Sequence, residues 1–228
     1  MSNTIPANLT GRWPRSQTIL MLARRENQCL SLGPGMRAVL WLQGCCFRCP
    51  GCVAGEMLPF AGGSRPSIDA LADELVAIDG IEGVTFSGGE PFMQAAALVA
   101  LIDRIKSRRQ LSFMSFTGFT LDELRAAGES AQLDLLARLD LLVDGRYRRD
   151  QHATLMWRGS RNQTVHFLSS RYSHLRNGVD QAVVSIDVTI DASGSFGWAG
   201  IPPKGLRKAI ERGMADRSVS LAVIGGSL

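Results

Sequence analysis

Several features are scarce or missing in this chain of 228 residues, and each absence narrows what the protein can be. No apolar stretch reaches the roughly 18 residues that a membrane-spanning helix needs. The amino terminus also lacks the apolar core of a signal peptide, so we expect a cytoplasmic protein. Only three histidines occur, and all of them lie beyond residue 150, so the earlier part of the chain offers no imidazole ligand.

The charge composition does not by itself indicate a class of function. The 25 basic and 21 acidic residues leave a net charge of +4, and hydrophobic residues make up 45% of the chain. These values are ordinary for one soluble globular domain. The basic residues are scattered, and their nearest approach to a group is Arg146, Arg148 and Arg149, with Arg158 and Arg161 beyond. A solvated surface is the favoured interpretation, and an anion-binding or nucleic-acid-binding face is the alternative.

Cysteine carries the main compositional signal. Four of the five cysteines lie within eight residues, none follows residue 53, and the set is Cys29, Cys45, Cys46, Cys49 and Cys52. An odd number of clustered cysteines in a chain without a signal peptide favours metal or redox chemistry over disulfides. A second metal cluster is not expected, because no cysteines remain to bind it.

The order of predicted elements indicates an α/β fold. A helix begins after Ser67, another spans 94–108, and a capping box of Thr120 and Glu123 opens a third. Strands are predicted at 18–24, 37–43, 83–87, 111–117 and 139–143. Alternating strands and helices predict a parallel sheet with right-handed crossovers, whose carboxyl edge holds the active site.

The carboxyl-terminal part has a different pattern. Apolar and polar residues alternate from 184 to 190, and a turn then leads to a hairpin partner at 195–199. A helix at 203–213 and a strand at 218–224 complete a ββαβ-like unit. We therefore divide the chain into an irregular segment (1–17), a core (18–177) and an extension (178–228).

The strongest motif is Cys45-x3-Cys49-x2-Cys52. Three thiolates on one loop can bind three irons of a [4Fe-4S] cluster and leave the fourth iron open, whereas most such clusters use four cysteines. The alternative is a structural zinc site, which needs four ligands. Cys46 directly follows Cys45 and is not expected to point the same way, so Cys29 is the one candidate for a distant fourth ligand.

Four further motifs follow predicted strands or lie in loops. Each has an ordinary alternative as a turn, a helix cap, a local ion pair or a polar loop. Backbone groups next to small residues can bind an amino acid, hydroxyls can bind a ribose, and an acid near an arginine suits a zwitterion. The four motifs are Ser87–Pro91, Ser115–Gly118, Asp144–Arg146 and Trp157–Gln163.

Together these residues resemble a known family. The segments Leu32–Gly35 with Arg37, Trp41–Cys45 and Arg48–Cys52, followed by the four motifs above, are similar to the radical S-adenosylmethionine activating enzymes. The nearest branch is the activating protein of anaerobic ribonucleotide reductase. The resemblance covers roughly residues 30–168 and implies a partial (β/α) barrel.

The resemblance also implies roles for individual residues. Cys45, Cys49 and Cys52 would bind the cluster. Gly88, Gly89 and Glu90 would contact the methionine amino group of S-adenosylmethionine. The carboxylate or ribose would meet Ser115 or Thr117 together with Asp144 and Arg146, and the last two are the candidate catalytic residues. One electron would cleave the cofactor to a 5′-deoxyadenosyl radical.

The resemblance leaves the target open. In the activating branch the radical abstracts hydrogen from a glycine of a partner, so a glycyl radical enzyme such as anaerobic ribonucleotide reductase is expected. Direct attack on a peptide, nucleotide or small molecule is the alternative, with the extension building a pocket. A protein that binds metal without catalysis is a third possibility. With no second cluster expected, the electron would come from a flavodoxin- or ferredoxin-like protein.

Overall fold

The computed structural model describes residues 19–127, 129–181, 184–190, 196–203 and 205–215. Ten strands occur in these ranges. In chain order they are β1 (Leu22–Cys29), β2 (Arg37–Leu42), β3 (Gly83–Gly88), β4 (Ser112–Phe116), β5 (Leu141–Asp144), β6 (His152–Leu155), β7 (Arg158–Ser160), β8 (Thr164–Phe167), β9 (Ile186–Ile190) and β10 (Phe196–Gly200).

The central sheet has six strands in the order β1-β2-β3-β4-β5-β8. Strands β2 to β5 are parallel, and the antiparallel strands β1 and β8 form the two edges. The predicted α/β class and the parallel core are therefore confirmed. The carboxyl ends of β2 to β5 lie along one edge of the sheet, which we call the carboxyl edge, and their starts define the amino edge.

Within the described ranges, five α-helices connect or follow the strands. Their bounds are α1 (Ile68–Ala77), α2 (Ala95–Lys106), α3 (Leu121–Ala127), α4 (Ser130–Leu136) and α5 (Leu206–Ala215). The predicted Ser67 cap is present, since its side chain accepts from the Ala70 N–H. The predicted capping box is also confirmed, because Thr120 and Glu123 each accept the other's backbone N–H through their side chains.

The two faces of the sheet bury different partners. Helix α2 contacts both α1 and α4, and all three helices contribute to the larger apolar core on one face. On the other face, Val39 and Trp41 pack with Ala199 of β10. Because Ala199 lies in the predicted extension, the described part of that extension covers sheet surface that the helices leave open.

Polar contacts bind the β9–β10 hairpin to the loop between β1 and β2. Asp187 Oδ2 accepts from the backbone N–H groups of Leu30 and Ser31, each at 2.9 Å. The Ser31 hydroxyl donates to the Ala199 carbonyl at 3.1 Å. The hairpin predicted from the period-two pattern is therefore confirmed, and it is attached at the amino edge.

A buried arginine organises the amino edge. Arg37 is fully buried at the start of β2. Its guanidinium donates to the hydroxyls of Thr85 and Ser112, each at 2.7 Å, and to three backbone carbonyls. Burial lowers the pKa of Arg37, while the nearby Tyr172 and Glu82 oppose that change. This network joins β2, β3 and β4 where the parallel strands begin.

The structure differs from the sequence prediction in several elements. The first strand runs from Leu22 to Cys29 rather than over 18–24, because β1 is an edge strand whose polar residues face solvent. Helix α4 and strands β6 to β8 were not predicted. The predicted strand at 218–224 lies outside the described residues, and no helix that the structure describes is long and apolar enough to cross a membrane.

Candidate metal centre

The cysteine loop leaves β2 at the carboxyl edge of the sheet. The backbone N–H groups of Gly44 and Cys45 donate to the carbonyls of Met57 and Leu58, at 2.8 and 3.1 Å. A tight turn follows, in which the Cys52 N–H donates to the Cys49 carbonyl at 3.1 Å. Cys45 is buried, whereas Cys49 and Cys52 are partly exposed. One end of the loop therefore faces the protein and the other faces solvent.

The protein surroundings by themselves keep the thiols protonated, so a bound cation is needed to stabilise the thiolates. Burial raises the pKa of the Cys45 thiol to about 12, and the charge of Glu90 adds to the rise. Burial also raises the pKa values of Cys49 and Cys52, while backbone N–H groups of Tyr147 and Ala54 oppose the rise. Metal ions bind thiolates, so positive iron is the partner that would stabilise the deprotonated form in this buried place.

The number of thiolates fits an open cluster better than a structural zinc. The loop supplies Cys45, Cys49 and Cys52, and no histidine occurs before residue 150. A structural zinc needs four ligands. A [4Fe-4S] cluster held by three cysteines instead leaves its fourth iron open. The donor set therefore favours the cluster.

Cys29 lies at the other end of β2. It pairs in register with Arg37, the first residue of that strand, whereas Cys45 comes after the last. Its thiol donates to Asp187 Oδ2 at 3.1 Å, and burial raises its pKa to about 11. The length of β2 therefore separates it from the cysteine loop, and a role as fourth ligand is not supported.

The two glycines at the end of β3, Gly88 and Gly89, lie against the backbone of β2 and its following loop. The Gly89 N–H donates to the Leu42 carbonyl at 2.7 Å, and the Glu90 N–H donates to the Gly44 carbonyl at 2.8 Å. A Cβ atom at Gly89 would lie 2.2 Å from the Gly44 carbonyl oxygen, and one at Gly88 would lie 2.5 Å from the Leu42 nitrogen. The sequence predicted a ligand contact here, and the structure adds a packing reason for both glycines.

Glu90 joins the ends of β3 and β4. Its Oε1 accepts from the Thr117 hydroxyl at 2.8 Å and from the Phe92 N–H at 2.9 Å, and its Oε2 accepts from the Gly118 N–H at 2.7 Å. Burial raises the pKa of this carboxyl to about 7, although these hydrogen bonds and Arg146 oppose the rise. The structure therefore brings together Glu90 and Thr117, two residues predicted to contact S-adenosylmethionine.

Arg146 approaches the cysteine loop through an aromatic ring. Its guanidinium lies 4.4 Å from the centre of the Phe47 ring, within cation–π range. Phe47 packs edge-on against Phe119 at 4.7 Å, and only a glycine fits at position 118, since a Cβ there would lie 2.4 Å from Phe47. Sequence reasoning missed Phe47, although an aromatic side chain inside a polar metal loop is itself a signal of anchoring.

Asp144 is buried and uses its carboxylate to position backbone. Its Oδ2 accepts from the Leu121 N–H at 2.7 Å, where α3 begins, and its Oδ1 accepts from the Thr164 N–H at 3.3 Å. His166 Nε2 lies 2.8 Å from Oδ2, at ion-pair distance but without hydrogen-bond geometry. His166 was also missed, because β8 was not predicted.

The remaining predicted residues take supporting positions. The Ser115 hydroxyl is buried and donates to the Phe116 carbonyl at 3.0 Å. The predicted polar loop at 157–163 instead contains β7. Gln163 accepts from the Gly159 N–H at 2.8 Å and donates to the Gly145 carbonyl at 2.9 Å, which fixes the backbone next to Arg146. The carboxyl edge thus carries the cysteine loop, Glu90, Thr117 and Arg146 around one site.

Comparisons with known proteins agree with this geometry. A family model described as a 4Fe-4S single cluster domain matches residues 31–166. The anaerobic ribonucleoside-triphosphate reductase-activating protein of Salmonella typhi is 33% identical over 145 residues, which are 60% of this chain and 91% of that protein. Its Escherichia coli K12 counterpart is 32% identical over the same shares. A pyruvate formate-lyase-activating enzyme of Clostridium pasteurianum is 33% identical over 88 residues, covering 36% of this chain and 37% of the enzyme.

The matched family region contains the whole candidate site, and the β9–β10 hairpin and α5 follow it. The cofactors are a [4Fe-4S] cluster and S-adenosylmethionine, as the resemblance in the sequence implied. The chain belongs to the family of anaerobic ribonucleoside-triphosphate reductase-activating proteins, which are radical S-adenosylmethionine enzymes with a 4Fe-4S single cluster domain.

Proposed function

We propose that this protein generates a glycyl radical on a partner enzyme, and that the partner is an anaerobic ribonucleoside-triphosphate reductase. The observation that carries the proposal is the position of the cysteine loop beside Glu90, Thr117 and Arg146 at the carboxyl edge of one parallel sheet. Relatives of which this chain spans 91% are named for that activity. When bound, the cluster and S-adenosylmethionine supply a 5′-deoxyadenosyl radical.

We assign a role to each side chain on the basis of its position. Cys45, Cys49 and Cys52 hold the cluster. Gly88, Gly89 and Glu90 form the end of β3, where the Glu90 carboxylate has one lone pair left beyond its three hydrogen bonds. That lone pair suits an ammonium group. Arg146 provides the cation for a carboxylate, and Ser115 and Thr117 are the nearby hydroxyls.

Asp144 acts as a positioning residue in this proposal. Its carboxylate holds the starts of α3 and β8 together, and the adjoining backbone carries Arg146 toward Phe47. We further propose that the mixed sheet is the partial (β/α) barrel of the radical enzymes. Two observations support this proposal. Strands β2 to β5 are parallel neighbours, and the helices α1, α2 and α4 contribute to a single core on one face.

The test uses the chain with its cluster reconstituted without oxygen. We would mix it with S-adenosylmethionine, a reductant and the anaerobic reductase encoded in the same genome, and then record the electron paramagnetic resonance spectrum. The proposal predicts a glycyl radical doublet that Cys49→Ala abolishes. Production of 5′-deoxyadenosine without any radical on the reductase would contradict the proposed partner.

The second candidate function is direct abstraction of hydrogen from a small molecule. A cavity of about 320 Å³ lies between the β1–β2 loop, Trp157 and residues that follow the matched family region, including Val184 and Ile201. This cavity is at the amino edge, and the length of β2 separates it from the cysteine loop, so its position favours the glycyl radical proposal over direct abstraction. Transfer of deuterium from a labelled small molecule into 5′-deoxyadenosine would support this alternative, and deuterium transfer from a labelled reductase glycine would exclude it.

A further inference from the structure

A group of exposed arginines lies beside the solvent-facing end of the cysteine loop. Arg48 lies within the loop, and Arg149 has its Cδ atom 3.5 Å from the position that a Cβ of Gly51 would take. Since Gly51 lies between Cys49 and Cys52, the Arg149 side chain extends directly over the loop. We call Arg48, Arg148, Arg149 and Arg161 the basic patch.

Hydrogen bonds donated by backbone N–H groups join the two chain segments that carry Arg148, Arg149 and Arg161. The Arg148 N–H donates to the Ser160 hydroxyl at 3.1 Å, and the Arg161 N–H donates to the Gln151 carbonyl at 2.9 Å. Arg148 pairs with Asp150 at 3.1 Å. For Arg48, Arg149 and Arg161, no carboxylate in the described residues lies within ion-pair distance. The patch therefore presents positive charge that the neighbouring protein surface does not neutralise.

The burial of the cysteines points toward the same surface. Cys45 is 7% exposed, whereas Cys49 and Cys52 are only partly buried and lie under the patch. Val53, which follows Cys52, is 42% exposed. An apolar centre with a charged rim is typical of a transient protein interface, and the charges guide the encounter. The most exposed side of the cluster site, at Cys49 and Cys52, is therefore also the side whose positive charge would attract an acidic protein surface.

We propose that the basic patch docks an acidic one-electron donor protein, which reduces the cluster through the Cys49–Cys52 side. This inference rests on the proposed function, which requires one electron for each cleavage. The donor, a reduced flavodoxin- or ferredoxin-like protein, is oxidised by one electron and the cluster is reduced by one. A nucleic acid is the less favoured occupant, because the aromatic residue among these arginines, Tyr147, is half-buried and bonded to His152.

The experiment separates docking from catalysis by using two reductants. The holoprotein, Arg149→Gln and the double variant Arg149→Gln/Arg161→Gln would be titrated calorimetrically with an acidic flavodoxin. Production of 5′-deoxyadenosine would then be followed with reduced flavodoxin and, separately, with photoreduced 5-deazariboflavin, which is small and uncharged. Arg171→Gln is the matched control, since Arg171 is exposed and follows Ser169, which binds Asp140 at the amino edge.

We expect Arg149→Gln to raise the dissociation constant for flavodoxin about threefold to fivefold, and the double variant about tenfold, because each removes a rim charge. Turnover with flavodoxin should fall in parallel, while turnover with 5-deazariboflavin and all values for Arg171→Gln stay within about twofold of the parent. Both losses should shrink as ionic strength rises from about 50 to about 200 mM.

Three results would overturn the proposal. They are an unchanged flavodoxin affinity in the double variant, an equal loss in Arg171→Gln, and an equal loss of turnover with 5-deazariboflavin, which would place Arg149 in the catalytic site. A different outcome identifies a failure of the proposed function itself. In that case the parent protein makes no 5′-deoxyadenosine with either reductant, and the calorimetric titration still tests the patch independently.

Discussion

The amino and carboxyl edges of the parallel sheet hold their buried charges in different ways. At the amino edge, Arg37 makes five hydrogen bonds to protein groups, which saturate its five N–H donors. At the carboxyl edge, Glu90 keeps an unused lone pair, and the thiols of Cys49 and Cys52 remain partly exposed. The hydrogen bonds of Arg37 at the amino edge are all made within the protein. At the carboxyl edge, Glu90 and the thiols can still bond to ligands.

This difference separates stability from function along the same four strands. A saturated buried network mainly fixes the register of β2, β3 and β4. An incompletely bonded buried group raises the energy of the empty site, and a ligand that completes the bonding gains from it. Substitutions at the amino edge should therefore act on the free energy of unfolding, and those at the carboxyl edge on cofactor binding and on pH dependence.

The largest effect on stability is expected at Arg37. The substitution Arg37→Met removes five buried hydrogen bonds, to two hydroxyls and three carbonyls, so the free energy of unfolding should fall by about 3–5 kcal/mol. Urea denaturation would measure it. In the matched control Arg25→Met, an exposed ion pair with Glu74 is lost, and the change should be at most about 1 kcal/mol. Equal losses of unfolding free energy in the two variants would show that the buried network stabilises the fold no more than the exposed ion pair does.

A smaller, pH-dependent effect is expected at Glu90. Burial raises its pKa from 4.5 to about 7, so the folded state binds this proton more tightly than the unfolded state does. The stabilising contribution is full below about pH 4.5 and is lost as pH rises through about 7. Between pH 5 and 8, the cluster-free parent should therefore lose on the order of 3 kcal/mol more stability than Glu90→Gln does. Parallel pH profiles for the two proteins would contradict this.

Much of the fold could be predicted because the parallel strands are largely apolar and the helices are amphipathic. Strand β2 is buried along its whole length, and the Thr120–Glu123 capping box forms as expected. Strands β6 to β8 could not be predicted, because they are short and lack a clear apolar period, and the buried β7 consists of Arg, Gly and Ser. Edge strand β1 was placed too early, since only its first residues carry an apolar signal.

The candidate site was predictable where the spacing of residues along the chain indicates a particular ligand. Three cysteines on a short loop and a Gly-Gly-Glu motif after a strand were enough to indicate the metal centre. The residues that position them were not, because Phe47 and His166 act through contacts between distant segments. The sequence also could not show that Gly88 and Gly89 touch the backbone of β2, which only the strand order reveals.

The smallest effect is expected at Cys29. Its thiol is buried but bonds only to Asp187 and Ser31, at the edge away from the cysteine loop. Cys29→Ala should cost about 1 kcal/mol of stability and leave the iron content of the reconstituted protein unchanged. Iron and sulfide analysis would measure this. A loss of one or more irons would mean that Cys29 is a ligand after all.

The central claim is that Cys45, Cys49 and Cys52 hold a cluster that reductively cleaves S-adenosylmethionine at the carboxyl edge. The most direct test is to assay 5′-deoxyadenosine from anaerobically reconstituted parent, Cys49→Ala and Cys29→Ala proteins, supplied with a strong reductant. The account predicts product from the parent and from Cys29→Ala, and none from Cys49→Ala. Product from Cys49→Ala, or its absence from a parent that carries a full cluster and its partner reductase, would contradict the claim.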